Sequence, residues 1–453
     1  MVQRRFLLND GRCLETGEEI QRYPGKRTLV HGRIDGRAVV AKFYHGLIWG
    51  WWEWYRGLRG ARALAAAPIV PSPRLEYSGF MRTANAWLAA IEYIAPDRPW
   101  PPTEDSSGGA SFEEAHELVI DALASHHQAG IAQQDLNWTN FVPVGDCLYS
   151  IDGDRVRAHG RPLTRRTSLS NLARFYAYKA DFRVEDIRRG YALYCARREW
   201  NQDGNELEQL LSAIFAERRR LADRFVRRSL KGWKHFPRRR IGQWHCIRDR
   251  RRLSAAGAAE IHQRLEREGL GGAGRACTTV DGSCRLRPFR TPTMARKAWG
   301  RSLLLRRLRI PVERPAALLE LGALPALRRG ALATCQRPHT DLETALREAS
   351  VAVQGRLIER IGEILGLLRL AGLYLPGASP RLFGVDEHDV LLLAPELVEN
   401  RQRPDYKTPA FEPRLRDELA ACTDSDAMTV AKLLEAGIAR VTPRSADAEH
   451  AAA

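Results

Sequence analysis

The residues GIAQQDLNWTNF at 130–141, followed by LYSIDGD at 148–154, decide which fold we expect for this chain. Asp135 and Asn140 are five positions apart, and Asp152 closes an apolar stretch twelve residues later. This spacing is typical of phosphoryl-transfer sites, in which an aspartate accepts a proton from a substrate hydroxyl and hard oxygen atoms hold Mg²⁺. We therefore predict that Asp135 is the catalytic base and that Asn140 and Asp152 are ligands of Mg²⁺ beside ATP.

Two positions depart from the usual pattern of such a site. Gln133 stands where a histidine is common, and Gly153 stands where a phenylalanine is common. The first change removes an orienting group and leaves the base in place. The alternative interpretation is a polar loop between a helix and a hairpin, but the flanking segments favour the phosphoryl-transfer site.

The chain upstream of this loop contains a candidate phosphate-binding lysine. Residues 26–44 predict a β-hairpin that turns at Asp35-Gly36 and continues into a strand carrying Lys42. A lysine near the end of an exposed strand is common. Its position ahead of the Asp135 loop nonetheless indicates a role at the α- and β-phosphates of ATP.

Two further segments complete the predicted nucleotide site. A basic helix over 51–67 contains one acidic residue, Glu53, which is the candidate partner of Lys42. A buried strand over 87–94 follows, and backbone groups from about Glu92 onward are expected to meet the edge of the adenine. A long helix over 112–129 then leads to the Asp135 loop.

Length and composition bound the remaining possibilities. A chain of 453 residues exceeds one ordinary core, so two or three domains are expected. No apolar run approaches the roughly 18–20 residues that span a bilayer. The eight cysteines are scattered without a C-x-x-C pair, which indicates a reducing cytoplasm and no structural metal.

The net charge of +17 comes mainly from arginine, which indicates an acidic partner such as a nucleic acid, an anionic lipid or a phosphorylated glycolipid. The densest basic stretch is 218–240, where aromatic residues are interleaved with arginines. It can bind RNA, an anionic bilayer or an acidic face of the protein itself. The arginines and aromatics follow no nucleic-acid recognition motif, so no specific nucleic acid is expected.

The order of elements recurs from about residue 244. Asp281-Gly282 repeats the hairpin turn, Arg287 falls near the position of the lysine, and helices are predicted over 294–308 and 351–371. The positions that match Asp135, Asn140 and Asp152 hold Gly377, Leu382 and Ala394. These three residues offer no side-chain oxygen, so the second half is predicted to lack phosphoryl transfer.

The chain resembles the bacterial lipopolysaccharide core kinase family, the Kdo- and heptose-kinase group of the protein-kinase-like superfamily. The resemblance is carried by VAK at 40–42, VPSP at 70–73, DLNWTN at 135–140 and IDGDR at 151–155, and it covers about residues 25–200. It implies an α+β, bilobal protein-kinase-like fold with an antiparallel sheet and a helix in one lobe and a helical second lobe. It also implies ATP, Mg²⁺ and a sugar hydroxyl of the lipid-anchored inner core as the acceptor.

We therefore predict a kinase-like domain over 1–240, a degenerate (pseudokinase) copy over 241–442 and a disordered tail over 443–453. The predicted protein is cytoplasmic and peripheral on the anionic inner-membrane surface, and it acts on lipopolysaccharide core or another phosphorylated glycolipid. A small-molecule kinase, a protein kinase and a non-catalytic tandem pseudokinase scaffold remain as alternatives.

Overall fold

The computed structural model describes residues 4–67, 69–100, 112–178, 182–268, 276–321, 329–335, 339–386, 389–400, 413–423 and 425–442. The chain divides into two compact units: unit 1 holds residues 1–179 and 185–206, and unit 2 holds residues 180–184 and 207–453. The tail at 443–453 lies outside the described residues. Over the described ranges, no helix is both long enough and apolar enough to cross a membrane.

Unit 1 is a mixed α/β unit that begins with a sheet and continues with helices. Its strands are β1 (Arg4–Leu7), β2 (Cys13–Tyr23), β3 (Arg27–Ile34), β4 (Arg37–His45), β5 (Leu75–Met81), β6 (Ala86–Glu92), β7 (Ile131–Gln133), β8 (Phe141–Val144), β9 (Cys147–Ser150) and β10 (Val156–Ala158). Its helices are α1 (Leu47–Ala65), α2 (Phe112–Gln128), α3 (Arg165–Tyr178) and α4 (Val184–Arg197), of which Val184 is assigned to unit 2.

The sheet of unit 1 has six strands in the order β1-β2-β3-β4-β6-β5, and its pairs are antiparallel. The predicted hairpin is confirmed by the pairing of β3 with β4. Both of its turn residues have positive φ, 51° at Asp35 and 77° at Gly36, as a tight hairpin turn requires. Alternate residues of β4, among them Val39, Ala41 and Phe43, are buried in the core. The apolar alternation along this strand therefore fixes which side of the sheet faces inward.

Beyond the sheet, the chain builds a short platform from helix α2 and small hairpins. Strand β7 follows α2 after a turn at Gly130, whose φ of 75° belongs to the left-handed region that glycine adopts without strain. Strand β7 pairs with β10, and β8 pairs with β9. The loop between β7 and β8 therefore connects the β7–β10 pair to the β8–β9 pair along the chain.

Unit 2 also joins a six-stranded sheet to a group of helices. Its strands are β11 (Arg238–Ile241), β12 (Trp244–Arg248), β13 (Ala276–Thr279), β14 (Gly282–Phe289), β15 (Arg314–Leu321), β16 (Gly330–Cys335), β17 (Thr340–Asp341), β18 (Leu373–Tyr374), β19 (Phe383–Val385), β20 (Val390–Leu392) and β21 (Glu399–Asn400). Its helices are α5 (Gly204–Lys231, beginning in unit 1), α6 (Ala255–Glu268), α7 (Pro292–Arg307), α8 (Leu342–Glu348), α9 (Val351–Leu370), α10 (Pro413–Ala420) and α11 (Ala427–Val441).

The large sheet of unit 2 has the order β11-β12-β15-β16-β14-β13. Helix α5 belongs mainly to this unit, because Phe215 and Ala222 of α5 are buried in a core shared with α9 and α11. Residues 207–240 therefore lie in unit 2, whereas the division made from the sequence assigned them to the first domain.

Candidate active site

The centre of the candidate site is a buried lysine between two carboxylates. Strand β4 presents Lys42, and its Nζ donates hydrogen bonds to Asp152 Oδ1 at 2.9 Å and to Asp154 Oδ1 at 3.1 Å. Burial by itself would lower the pKa of Lys42, but the charges of Asp154 and Asp152 outweigh that effect and raise it. Lys42 is therefore charged at physiological pH and held at a fixed position.

Asp154 is the most heavily bonded carboxylate of this group. Its Oδ1 also accepts a hydrogen bond from the hydroxyl of Tyr44 at 3.1 Å, and its Oδ2 forms an ion pair with Arg27. Burial by itself would raise the pKa of Asp154, but the charges of Lys42 and Arg27 outweigh that effect and lower the pKa below its ordinary value. Asp152 is more open, since about a third of its side chain is exposed. The two carboxylates thus differ: Asp154 anchors cations, and Asp152 also reaches solvent.

Helix α1 approaches this group through glycines. A Cβ atom at Gly60 would lie 1.8 Å from the carbonyl oxygen of Gly153, and one at Gly57 would lie 3.1 Å from Asp154 Oδ1. Only residues without a side chain allow the helix to pack so closely on the 152–154 segment. A narrow cavity beside Lys42 is lined by Ala89 and Ile91 of β6 on one side and by Ile151 and Asp154 on the other.

The loop after β7 places Asp135 and Asn140 in a fixed relation. The Nδ2 of Asn140 donates to the backbone oxygen of Asp135 at 2.5 Å. The backbone oxygen of Asn140 accepts from the N–H of Ile151 at 2.9 Å, which ties the loop to the residue before Asp152. The carboxylate of Asp135 is half-buried and, within the described part of the chain, has no hydrogen bond or ion pair. It is thus available to a substrate hydroxyl.

Gln133, which stands where a histidine is common, anchors the start of this loop through hydrogen bonds. Its side chain is buried and donates from Nε2 to Ser150 Oγ at 2.7 Å, while its backbone oxygen accepts from Asn171 Nδ2 at 2.6 Å. Asn171 Oδ1 in turn lies 2.9 Å from His127 Nε2, which must carry a proton because an amide oxygen only accepts. A buried polar network therefore orients the loop without a histidine at position 133.

Two of the predicted nucleotide-site residues have other partners in the structure. Glu53 does not reach Lys42: it lies on the exposed face of α1 and pairs with Arg56 at 2.6 Å, one turn along the helix. Lys42 pairs instead with Asp152 and Asp154, where a glutamate of the helix was expected. The carboxylate of Glu92 pairs with the guanidinium of Arg74 at 3.3 Å. The backbone N–H of Glu92 donates to the backbone oxygen of Arg74. Any adenine contact at Glu92 would therefore involve its carbonyl oxygen.

Asp154, Arg27 and Tyr44 are the functional candidates that the sequence alone did not assign. The second aspartate of the IDGD segment was a visible signal, because two carboxylates two positions apart call for cations nearby. Arg27 and Tyr44 carried no such signal. They reach Asp154 because β3 pairs with β4 in a register that sets Arg27 opposite Tyr44.

Asn140 and Asp152 carry side-chain oxygens, the donor type that Mg²⁺ prefers. The N–H of Ile151 joins Asn140 to the residue beside Asp152, and the Nδ2 of Asn140 is already bonded, which leaves its Oδ1 as the ligand atom. Mg²⁺ commonly takes one or two protein oxygens together with phosphates and water. Over the described ranges, no group of three or more His, Cys, Asp or Glu residues is placed to hold a metal ion.

Comparisons with known proteins give little further information. The sequence matches no protein-family model and no curated protein. Among solved structures, the chain is similar to "WaaP in complex with acyl carrier protein", with 20% sequence identity, a TM-score of 0.31, and coverage of 42% of this chain and 84% of that chain. At that TM-score the similarity decides neither fold nor activity, and the interpretation depends on the geometry of the site.

Proposed function

We propose that unit 1 has a protein-kinase-like arrangement and transfers the γ-phosphoryl group of ATP to a hydroxyl group. The observation that carries this proposal is the convergence of Lys42, from a strand of the sheet, with Asp152, which follows the Asp135–Asn140 loop. A fixed cation, two oxygen ligands and an available carboxylate are the protein groups that phosphoryl transfer uses.

Each of these residues has a distinct task in the proposed reaction. Lys42 binds phosphate oxygens and holds the nucleotide in register with the acceptor. Asn140 and Asp152 would hold Mg²⁺, which neutralises charge on the phosphates when bound. Asp135 accepts the proton of the acceptor hydroxyl as its oxygen attacks the γ-phosphorus and the bond to the β,γ-bridging oxygen breaks. Arg27 and Tyr44 hold Asp154, which in turn fixes Lys42.

The proposed acceptor is a sugar hydroxyl of the lipopolysaccharide inner core, a Kdo or heptose, at the cytoplasmic face of the inner membrane. The DLNWTN and IDGDR segments support this acceptor class through their resemblance to that kinase group, and the net charge of +17 suits a phosphorylated glycolipid. A small-molecule acceptor uses the same aspartate and asparagine, so the acceptor assay below separates the two.

We further propose that unit 2 is a degenerate copy of unit 1. The strand order β3-β4-β6-β5 recurs as β13-β14-β16-β15, and in each set a helix, α1 or α7, connects the second strand to the third along the chain. The backbone bond from Ile151 N–H to the oxygen of Asn140, 2.9 Å, recurs between Leu393 and Leu382 at 2.8 Å. This correspondence supports treating Ala394 of unit 2 as the equivalent of Asp152 in unit 1.

The hairpin registers support the same correspondence at the lysine. Arg37 pairs with Ile34 in unit 1, and Gly282 pairs with Thr279 in unit 2. Five residues later along each strand stand Lys42 and Arg287. Arg287 donates to the oxygen of Leu393 at 3.0 Å and forms an ion pair with Glu396, two residues after Ala394, as Asp154 is two after Asp152. In this correspondence, unit 2 keeps a cation–carboxylate pair in Arg287 and Glu396. It has Gly377, Leu382 and Ala394 in place of the base and the metal ligands of unit 1.

The proposal is tested by measuring ATP consumption by the full chain with and without delipidated core oligosaccharide. We expect consumption that depends on Mg²⁺ and rises when the oligosaccharide is added, with phosphate transferred to a core sugar. Consumption that rises with a small amino alcohol or a protein substrate but not with the oligosaccharide would replace the acceptor. ATP binding without turnover would favour the non-catalytic tandem pseudokinase scaffold, and absence of both would reject the nucleotide site.

A further inference from the structure

The start of helix α1 exposes an unusual group of large apolar side chains. Trp49 and Ile48 are each 79% exposed, although such residues are normally buried. The group lies within nine consecutive residues and comprises Leu47, Ile48, Trp49, Trp51, Trp52 and Tyr55. The other exposed apolar side chains of the described residues are spread along the chain. A contiguous exposed patch of this kind usually marks a binding surface.

This patch, which we call the α1 aromatic face, is held rigidly by the opposite side of the helix. Trp54 faces inward and donates from Nε1 to the oxygen of Leu88 at 3.0 Å, and Trp87 donates to the oxygen of Leu47 at 3.1 Å. On the outer side, Trp51 and Tyr55 stack with ring centroids 5.5 Å apart and planes 13° from parallel. The helix therefore cannot turn the outer aromatics into the core without breaking these inner contacts.

Arginines continue the face along the same helix. Arg56, Arg59 and Arg62 line a cleft of about 640 Å³ together with Trp52 and Tyr55, and Arg155 and Arg157 of the β10 segment line its other side. None of the described residues that line this cleft is acidic. Glu53 neutralises Arg56 alone. The cleft therefore carries net positive charge directly beside the aromatic side chains.

We propose that the α1 aromatic face and the arginine cleft together bind an anionic lipid bilayer. Tryptophan and tyrosine favour the boundary between headgroups and acyl chains, since each has an apolar body and a polar N–H or O–H. The arginines are placed to bind lipid phosphates, which gives the charge complementarity that a lipid surface offers. The proposal rests on the membrane location of the proposed function, but it does not depend on catalysis.

This surface replaces the 218–240 stretch as the candidate membrane contact. Arg218 is buried, which lowers its pKa to about 10, and Arg219 donates to the backbone oxygens of Ala371 and Gly372 at 3.0 Å each. Arg220 pairs with Glu217 on the same helix. Arg218 and Arg219 therefore serve the packing of unit 2, and Arg220 shares its charge with Glu217, so the density of basic residues in the sequence overstated the charge that this stretch offers a partner.

The test is flotation of the full chain with vesicles of phosphatidylcholine, with or without phosphatidylglycerol. We expect binding to the anionic vesicles, weakened but not abolished by high salt, because the aromatic contribution is not screened. The variant Ile48→Ser/Trp49→Ala should bind at least about tenfold more weakly. The variant Arg59→Gln/Arg62→Gln should weaken binding by roughly fivefold for each arginine and reduce its salt dependence.

Two controls separate this surface from alternatives. Arg238→Gln/Arg239→Gln removes charges from the 218–240 stretch, and Met428→Ser removes a 70% exposed side chain from unit 2. Both should float as the unchanged protein does. Equal binding by Ile48→Ser/Trp49→Ala, or loss of binding only in the Arg238/Arg239 variant, would overturn the proposal.

Catalysis is measured separately, with delipidated oligosaccharide. Ile48→Ser/Trp49→Ala should keep its turnover of ATP with this water-soluble acceptor while losing vesicle binding. If the unchanged protein turns over no ATP with the oligosaccharide, a small amino alcohol or a protein substrate, the proposed kinase is rejected and the flotation result stands, so the two claims fail independently. Absent flotation of the unchanged protein on anionic vesicles would reject the docking surface alone.

Discussion

The ammonium group of Lys42 lies 2.9 Å from Oδ1 of Asp152, although 110 residues separate the two in the chain. The contact joins a sheet strand to the segment that follows the Asp135 loop, and Asp154 reinforces it at 3.1 Å. Because Lys42 is buried and only 16% of the Asp154 side chain is exposed, removal of Lys42 leaves Asp154 with Arg27 as its one remaining cation among the described residues and leaves Asp152 without one. The geometry therefore links the stability of unit 1 to the integrity of the candidate site.

Lys42→Ala should lower the free energy of unfolding of the full chain by roughly 3 kcal/mol, because two neighbouring carboxylates, Asp152 and Asp154, lose the buried cation that they share and only Arg27 remains beside Asp154. Urea unfolding followed by tryptophan fluorescence measures the change. The double variant Lys42→Ala/Asp154→Asn should lose less than the sum of the two single variants. A loss below about 0.5 kcal/mol for Lys42→Ala would mean that the lysine lies on the surface.

Gly60→Ala should weaken the fold and the site together, because the added Cβ would meet the carbonyl oxygen of Gly153. We expect a stability loss of roughly 1–3 kcal/mol and a displaced helix α1, with a lower affinity for ATP. Gly204→Ala is the matched control, since nothing lies within 4 Å of a Cβ there and Gly204 also lies in a helix. If both variants bind ATP with unchanged affinity, the packing of α1 does not position Lys42.

His126→Leu should reduce the sensitivity of the protein to acid. His126 is buried, its ring nitrogens have no hydrogen-bond partner within the described residues, and burial lowers its pKa to about 4 from 6.5. The unfolded chain takes up this proton below about pH 6.5 and the folded chain does so only near pH 4, so the histidine makes the fold less stable as the pH falls through this window.

The unchanged protein should therefore lose roughly 2 kcal/mol more than His126→Leu between about pH 7.5 and about pH 5. Urea unfolding at the two pH values measures this difference, and the exposed His159→Gln serves as the control. The same pH dependence in all three proteins would contradict the assignment of a buried neutral histidine.

Asp154→Asn and Glu396→Gln form a matched pair that tests the assignment of the two units. Each replaces the carboxylate that pairs with the strand cation of its unit, Lys42 or Arg287. If phosphoryl transfer takes place in unit 1, Asp154→Asn should lower turnover more than about tenfold and Glu396→Gln should leave it within about twofold. Steady-state ATP turnover measures both. The reverse order would move the active centre to unit 2.

Local patterns in the sequence predicted the elements of unit 1 well. The apolar alternation and the Asp35-Gly36 turn gave the β3–β4 hairpin, and the helix predicted over 112–129 is observed as Phe112–Gln128. Helix α1 begins at Leu47, four residues before the predicted start. The sequence did not predict this first turn because Leu47, Ile48 and Trp49 are apolar but exposed, and they form no amphipathic pattern.

The contacts of the site were harder to predict from the sequence. The sequence suggested Glu53 because it is the one acidic residue of its helix. In the structure, Glu53 lies on the exposed face of α1 and pairs with Arg56 one turn away. The approach of Gly60 to Gly153 and the ion pair between Arg27 and Asp154 depend on how distant segments pack. Periodicity and spacing report which face of an element is buried, but not which element covers it.

The central claim is that Asp135 takes the proton of an acceptor hydroxyl while Lys42, Asn140 and Asp152 hold the nucleotide. The most direct measurement is transfer of labelled γ-phosphate from ATP to delipidated core oligosaccharide by Asp135→Asn, beside its calorimetric affinity for Mg²⁺-ATP. Asp146→Asn, an exposed aspartate in the β8–β9 turn, is the control. We predict that Asp135→Asn binds Mg²⁺-ATP as the unchanged protein does and transfers phosphate at least about a hundredfold more slowly. Transfer at the unchanged rate by Asp135→Asn would contradict the claim.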